Sequence, residues 1–292
     1  MSDMTPMHAW RERSVATRKL RSRVFDTFMW LTGVIALVPL VLIISYVLLK
    51  GIPALNADFF TQTAPPPGVP GGGLAQAMVG SAMIVGIGIV ISVPLGILTA
   101  IYLSEYGRGK LASVTRFVAE ILLSTPSIVA GAFIWAVVVT AMHSFSAMAG
   151  SIALTVLMWP IITRGAEETL RLVPDDLREA ALALGVPRWR VILSIVLPTA
   201  GPGLFTVVML SVARGLGETA PILLTALGND FMNLNPAQPT DAVPLRIYNY
   251  AQSPIVAWHD FAWGGAIVLL VVVLTLSIGA RILSDRQQRR LR

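Results

Sequence analysis

The sequence predicts an all-α integral membrane protein with six transmembrane helices. Hydrophobic residues make up 55% of the 292 positions and charged residues 13%, and mean hydropathy is +0.72. That is too apolar for an ordinary soluble domain. Apolar stretches near the roughly 20 residues needed to cross about 30 Å of hydrocarbon recur six times. Between and beyond them, the basic residues collect in the segments that six crossings would place on one side.

In chain order, residues 1–26 form a basic lead carrying Arg11, Arg13, Arg18, Lys19, Arg21 and Arg23. The first helix, residues 27–49, is longer than a signal-peptide core and reads as an uncleaved anchor. The basic lead reads as a topology and lipid-contact signal rather than a nucleic-acid site. Residues 50–76 contain PPPGVPGGG, which has no apolar periodicity and reads as an extracytoplasmic loop. The core, residues 77–283, supplies the other five spans: Ala77–Leu103, Phe117–Met142, Ala149–Thr163, Gly203–Leu227 and Phe261–Leu283. A basic tail, 284–292, follows. An even number of crossings puts both termini on one side. Nineteen of the 22 Lys and Arg residues fall there, including five in the loop 164–202, against Lys50 and Arg246 on the other side and Arg214 inside span five. By the positive-inside rule both termini and that loop are cytoplasmic. Tyr and Trp residues of PLRIYNYAQSP, Trp258 and Trp263 suit an interfacial belt at the opposite boundary.

The loop 164–202 holds a compact helix. Asp175 and Asp176 follow Pro174 in a first turn, where carboxylates suit the helix dipole, and Gly185 closes the helix. Leu177, Ala180, Ala181 and Leu184 fall on one face at helical spacing, with Arg178 and Glu179 off it. Pro187 starts a second segment with Arg188, Trp189 and Arg190. A small apolar knob with a sharp turn suits insertion into a groove on another protein; the competing reading is an amphipathic hairpin lying on lipid.

Bond chemistry finds no support. With no cysteine, disulfides, thiolate metal sites and cysteine nucleophiles are excluded. A P-loop fails because Gly109-Lys110 is followed by Leu111. Gly215, Gly217 and Ala220 match a dinucleotide pattern only inside an apolar span with no preceding strand. His8, His143 and His259 lack ligand spacing. The chain is therefore expected to be non-catalytic and to hold no metal or cofactor.

Span five carries the unusual charge. Arg214 falls near the bilayer midplane, where an exposed arginine costs roughly 2.5 to 3.5 kcal/mol on translocon scales, so it must face protein or water. Glu218 follows at i+4, and Pro221 removes a backbone donor. Either the two charges neutralise each other within the bundle, or Arg214 offers its planar fork to an oxyanion on the pathway and Glu218 orients or releases it. Arg164 ends span four after Pro160; by position alone it completes a helix end and snorkels to the interface.

Glu179, Ala180, Ala181, Gly185, Ile195, Leu197 and Pro198 fill every position of the cytoplasmic loop signature of ABC importer permeases. With ARGLGETAPILLTALG, TRGAEETLRLVPDDLREAALALG and PLRIYNYAQSP, the chain resembles, from about Ala77 to Leu283, the A-type permease subunit of the phosphate-specific ABC importer, within the binding-protein-dependent transport inner-membrane component family. The resemblance implies a type I (MetI-like) ABC importer fold in the bacterial inner membrane. It implies that Arg214 and Arg164 serve phosphate transport, with Glu218 the accompanying charged position, and that the signature residues couple to an ATPase. It also implies a heterodimer with a second permease, two cytoplasmic ATP-binding subunits that bind ATP and Mg, and an extracytoplasmic phosphate-binding protein. Permeases for another oxyanion such as sulfate or molybdate, or a gradient-driven anion transporter, are the alternatives. Residues 1–26 and the Pro-Gly loop are covered by no motif.

Overall fold

The computed structural model describes the backbone of residues 6–290 and the side chains of residues 18–284. It is all-helical: among the described residues no strand forms, and a lone parallel bridge pairs Leu227 with Thr240. Among the described residues five helices are long and apolar enough to cross a membrane, or six when one bent pair is taken as a single span. The chain divides into two compact units, Met1–Leu49 and Lys50–Arg292.

The described residues of the first unit lie in one helix, α1 (Pro6–Gly51), which contains Pro39 and whose last two residues belong to the second unit. It contains the expected first span and also part of the basic lead.

The second unit begins with α2 (Ala57–Thr61), capped by the Asn56 side chain, which accepts from the Phe59 amide. The Pro-Gly loop is therefore better anchored than its composition suggests. Phe59 is fully buried against Leu74, Val243, Tyr250 and Ala262, and stacks on Phe261 with centroids 6.1 Å apart. Tyr250, read as part of an interfacial belt, is instead buried and stacks on Trp258.

The central pair is α3 (Ala75–Ile101) and α7 (Ala147–Arg171). Gly88 lies against Leu154 and Gly96 against Ile162, small residues that let the two backbones approach closely. Ile84, Leu154, Met158, Ile162, Val212 and Ile222 build the central apolar cluster.

Two expected spans are discontinuous. Phe117–Met142 is split into α4 (Lys110–Ser124) and α5 (Ser127–Ile134), which continues through a π turn, Trp135–Val139, into α6 (Thr140–Met142). The halves meet at 106° across Thr125 and Pro126. Pro126 disfavours helical backbone at Thr125, which is extended at ψ 130°. Gly203–Leu227 is likewise not one helix. After α8 (Asp175–Ala183), α9 (Arg188–Val191) runs through a π turn, Ile192–Val196, into α10 (Leu197–Leu216), an unbroken 29 residues. Pro198 has no N–H for a return bond and would crowd the carbonyl four residues back. The helix widens over that turn, and the Leu197 amide donates to Ile192 O. The chain then breaks over Gly217–Thr219 and resumes as α11 (Ala220–Thr225). The last elements are α12 (Val243–Ala251) and α13 (Val256–Arg290).

Candidate functional site

The site begins where α10 stops. Gly203 packs on Thr169, Gly165 on Val207 and Gly215 on Met158, so α10 runs antiparallel to α7 and ends level with Met158, near the middle of the 25-residue α7. Arg214 is thus a last-turn residue of α10 yet sits at mid-depth of the bundle, as its place in the apolar run suggested. Beyond the break, α11 continues to the other end of α7, where Thr225 O accepts from the Ser146 amide.

Glu218 is not on the same helix. It lies in the break, with its amide donating to Gly215 O, and its carboxylate stands 3.6 Å from Arg214 Nε. That is a charge contact and not a hydrogen bond. The Arg214 side chain is 64% exposed and its guanidinium makes no hydrogen bond among the described residues, whereas Glu218 is 15% exposed. The arginine fork is consequently open to accept a planar or tetrahedral oxyanion.

The second break lies near the same depth. Glu120 of α4 pairs with Arg164 at 3.2 Å, and Ser124 is one turn, about 6 Å, further along α4. Past the bend, α5 packs on α11 through Gly131 and Pro221.

Arg164 is occupied, unlike Arg214. Its guanidinium reaches Glu167 at 3.1 Å as well as Glu120. Glu167, 1% exposed, gathers three arginines, with Arg116 at 2.8 Å and Arg171 at 2.6 Å in addition to Arg164. By backbone level Arg164 lies about 9 Å from Arg214 along α7, and no contact joins them among the described residues. Sequence reasoning missed Glu167 and Arg116. The acidic residue three positions after Arg164 was the available signal.

The signature loop is a helix with a complete Schellman ending. Gly185, at φ +79°, donates its amide to Leu182 O at 2.9 Å, and Val186 donates to Ala181 O at 3.2 Å. The expected apolar face is corrected in one respect. Ala181 turns inward against Val173, Val191 and Val196, beside half-buried Arg178, while Leu177, Ala180 and Leu184 remain exposed together with Glu179. Arg178 also points inward, to Glu105 at 3.0 Å. Ile195 and Leu197 pack against the same cluster, and Pro198 is exposed in the first turn of α10.

At the opposite end, Arg246 is 6% exposed and meets Asp241 and Asp230, both at 2.6 Å. Gln76 joins by donating to Asp241 at 3.3 Å and accepting from the Ala64 amide at 3.1 Å. Burial pushes the Asp241 carboxyl up to about 6, against the pull of the Arg246 charge. For Arg246, burial is the largest single influence and works toward the neutral form, but the Asp241 charge and the hydrogen bonds to Asp230 and Asp241 together outweigh it and hold the guanidinium above its ordinary value.

Residues 92–292 match the family model described as the binding-protein-dependent transport system inner membrane component. The chain belongs to that family. This inner membrane component is 43% identical, over 98% of its own length and 97% of the relative's, to a Yersinia pestis protein named phosphate transport system permease protein PstA. In structure it is similar to a chain of a bacterial alginate ABC transporter solved in complex with an alginate pentasaccharide-bound periplasmic protein. The TM-score is 0.68 at 16% identity, covering 92% of this chain and 96% of that one. A chain of the MetNI methionine ABC transporter is also similar, with TM-score 0.56 at 20% identity, covering 72% of this chain and 93% of that one. The fold of this inner membrane component is therefore the MetI-like ABC importer permease fold, multi-pass and all-α.

Proposed function

We propose that the chain is a permease subunit of an ATP-driven phosphate importer, and that it forms the anion pathway together with a second, related permease. The relative's name supports phosphate as substrate, and the open guanidinium of Arg214 at a mid-depth helix break is the observation that carries the pathway assignment. Discontinuous helices at the bilayer midplane are where transporters commonly build substrate sites. Arg214 contacts the translocating phosphate, Glu218 in the adjoining break limits how tightly it is held, and Arg164 serves the same pathway nearer the signature loop.

The chain itself carries out no bond chemistry and needs no cofactor. Two cytoplasmic ATPase subunits bind ATP and Mg, and an extracytoplasmic phosphate-binding protein delivers the anion. Both termini and the signature loop face the cytoplasm. The exposed stripe Leu177, Ala180, Leu184 docks on the ATPase, with Glu179 beside it. ATP-driven closure of the ATPase pair moves this loop and switches access to the anion site.

The test is uptake of labelled phosphate by the reconstituted complex with its binding protein. Uptake that requires ATP and resists excess sulfate and molybdate supports the reading. Equal competition by those anions would make it a permease for another oxyanion, and uptake without ATP would make it a gradient-driven transporter.

A further inference from the structure

Helix α3 does not simply stop. It ends in a π turn, Tyr102–Tyr106, and the carboxylate in that turn, Glu105, is 8% exposed. Glu105 Oε1 accepts from Nε and Nη2 of Arg178 at 3.2 and 3.0 Å. Its backbone carbonyl accepts from Arg188, whose guanidinium also lies over the Tyr106 ring, 5.0 Å from the centroid. Arg178 belongs to α8 and Arg188 opens α9, so the two arginines flank the Gly185 turn and converge on one residue of α3. The same π turn reaches further. Leu103 O accepts from Arg116 at 2.8 Å, and Arg116 pairs with buried Glu167 of α7.

Little else fastens α8. Ala181 is its one buried residue, and apart from Asp175 within α8 itself, Glu105 is the one carboxylate that Arg178 meets among the described residues. The other partners of Arg178 are the carbonyls of Leu170 and Val173. A polar cavity of about 380 Å³, bounded by Glu105, Arg108, Arg178, Glu179 and Arg188, leaves space beside the contact.

We propose that Glu105 is the positioning residue through which movement of the signature loop is delivered to α3, and through the Arg116 contact at Leu103 to α4 and α7. A buried carboxylate bonded to two donors of one guanidinium resists separation better than the apolar contact of one alanine. The π turn supplies a stretch of helix able to change its winding without breaking. This inference rests on the reading of α8 as an ATPase-docking element.

The experiment uses the assembled complex with its binding protein in proteoliposomes, and measures ATPase retention, ATP hydrolysis and phosphate uptake together for Glu105→Gln, Arg178→Gln and the double variant. Glu105→Gln should keep the ATPase bound and hydrolysing while uptake per ATP falls at least about tenfold. Arg178→Gln should do the same, and the double variant should be no worse than either alone. Normal uptake per ATP in Glu105→Gln overturns the proposal. So does loss of the bound ATPase in that variant, which would make Glu105 an assembly anchor, or losses that multiply in the double variant. Failure of the docking reading shows separately, as a wild-type complex that retains no ATPase, and this proposal would fall with it.

Discussion

Gly131 and Pro221 meet so closely that a β-carbon on the glycine would lie 2.6 Å from the proline Cα. The contact joins the second halves of two broken spans, α5 and α11. Backbone leaves no flexible side chain to yield, so Gly131→Ala must push the halves apart. The expected cost is about 1 to 3 kcal/mol, read as a lower unfolding temperature of the purified complex. An unchanged unfolding temperature would show that the two halves do not bear on each other.

Arg214 and Glu167 should behave oppositely. Arg214→Gln removes an exposed side chain with one 3.6 Å charge contact, so assembled complex should persist with a stability change below about 1 kcal/mol while phosphate uptake is abolished. Assembly lost before uptake would instead make the Arg214–Glu218 pair structural.

Glu167→Gln leaves the partly exposed Arg116, Arg164 and Arg171 converging on a buried neutral group. Losing the buried acceptor costs about 1 to 3 kcal/mol, because the three arginines are partly exposed and water screens part of their repulsion. The yield of folded protein in detergent should fall sharply, and an ordinary yield would contradict the buried hub.

Gly185→Leu tests the loop ending. No atom lies within 4 Å of where its β-carbon would go, so the substitution does not crowd the turn. The strain comes from φ +79° alone, about 1 to 2 kcal/mol for a residue with a β-carbon. Co-purification should show weakened ATPase retention with membrane insertion intact; full retention would count against docking through this turn.

Asp241 predicts a pH dependence. Its folded value, about 6, lies above the ordinary 3.8, so the folded state holds the proton more tightly. The stabilisation is full below about 4 and is lost as pH rises through about 6. Thermal unfolding of the wild type minus that of Asp241→Asn should fall across that window and level off above it. A flat difference would show that Arg246 keeps Asp241 ionised throughout.

The spans, the signature loop and the mid-depth arginine were legible because hydropathy, motif spacing and Gly185 are local signals. Helix continuity was not. The breaks at Ser124–Ser127 and Gly217–Thr219 are short polar interruptions with Pro126 and Gly217 as local breakers, but hydropathy averaged over the length of a span hides them. Glu105 was invisible for a different reason: its partner Arg178 is 73 positions away, and only packing brings the two together. The inward turn of Ala181 depended likewise on Arg178 finding a buried carboxylate, a preference no helical wheel contains.

The first turn of α7 is held from outside. Ala147 and Met148 donate their amides to the carbonyls of Gln238 and Pro236, at 3.1 and 2.9 Å. Main-chain acceptors are common to all residue types, so side-chain identity can drift at Pro236 and Gln238 themselves, while Asp230, Asn229, Asn233 and Asn235 stay tied by their side chains and the length of the loop stays fixed. An inserted residue between Thr225 and Pro236 would carry both acceptors out of register with the helix they terminate. Among relatives, substitutions should therefore accumulate at these two acceptor positions while gaps stay away from the loop.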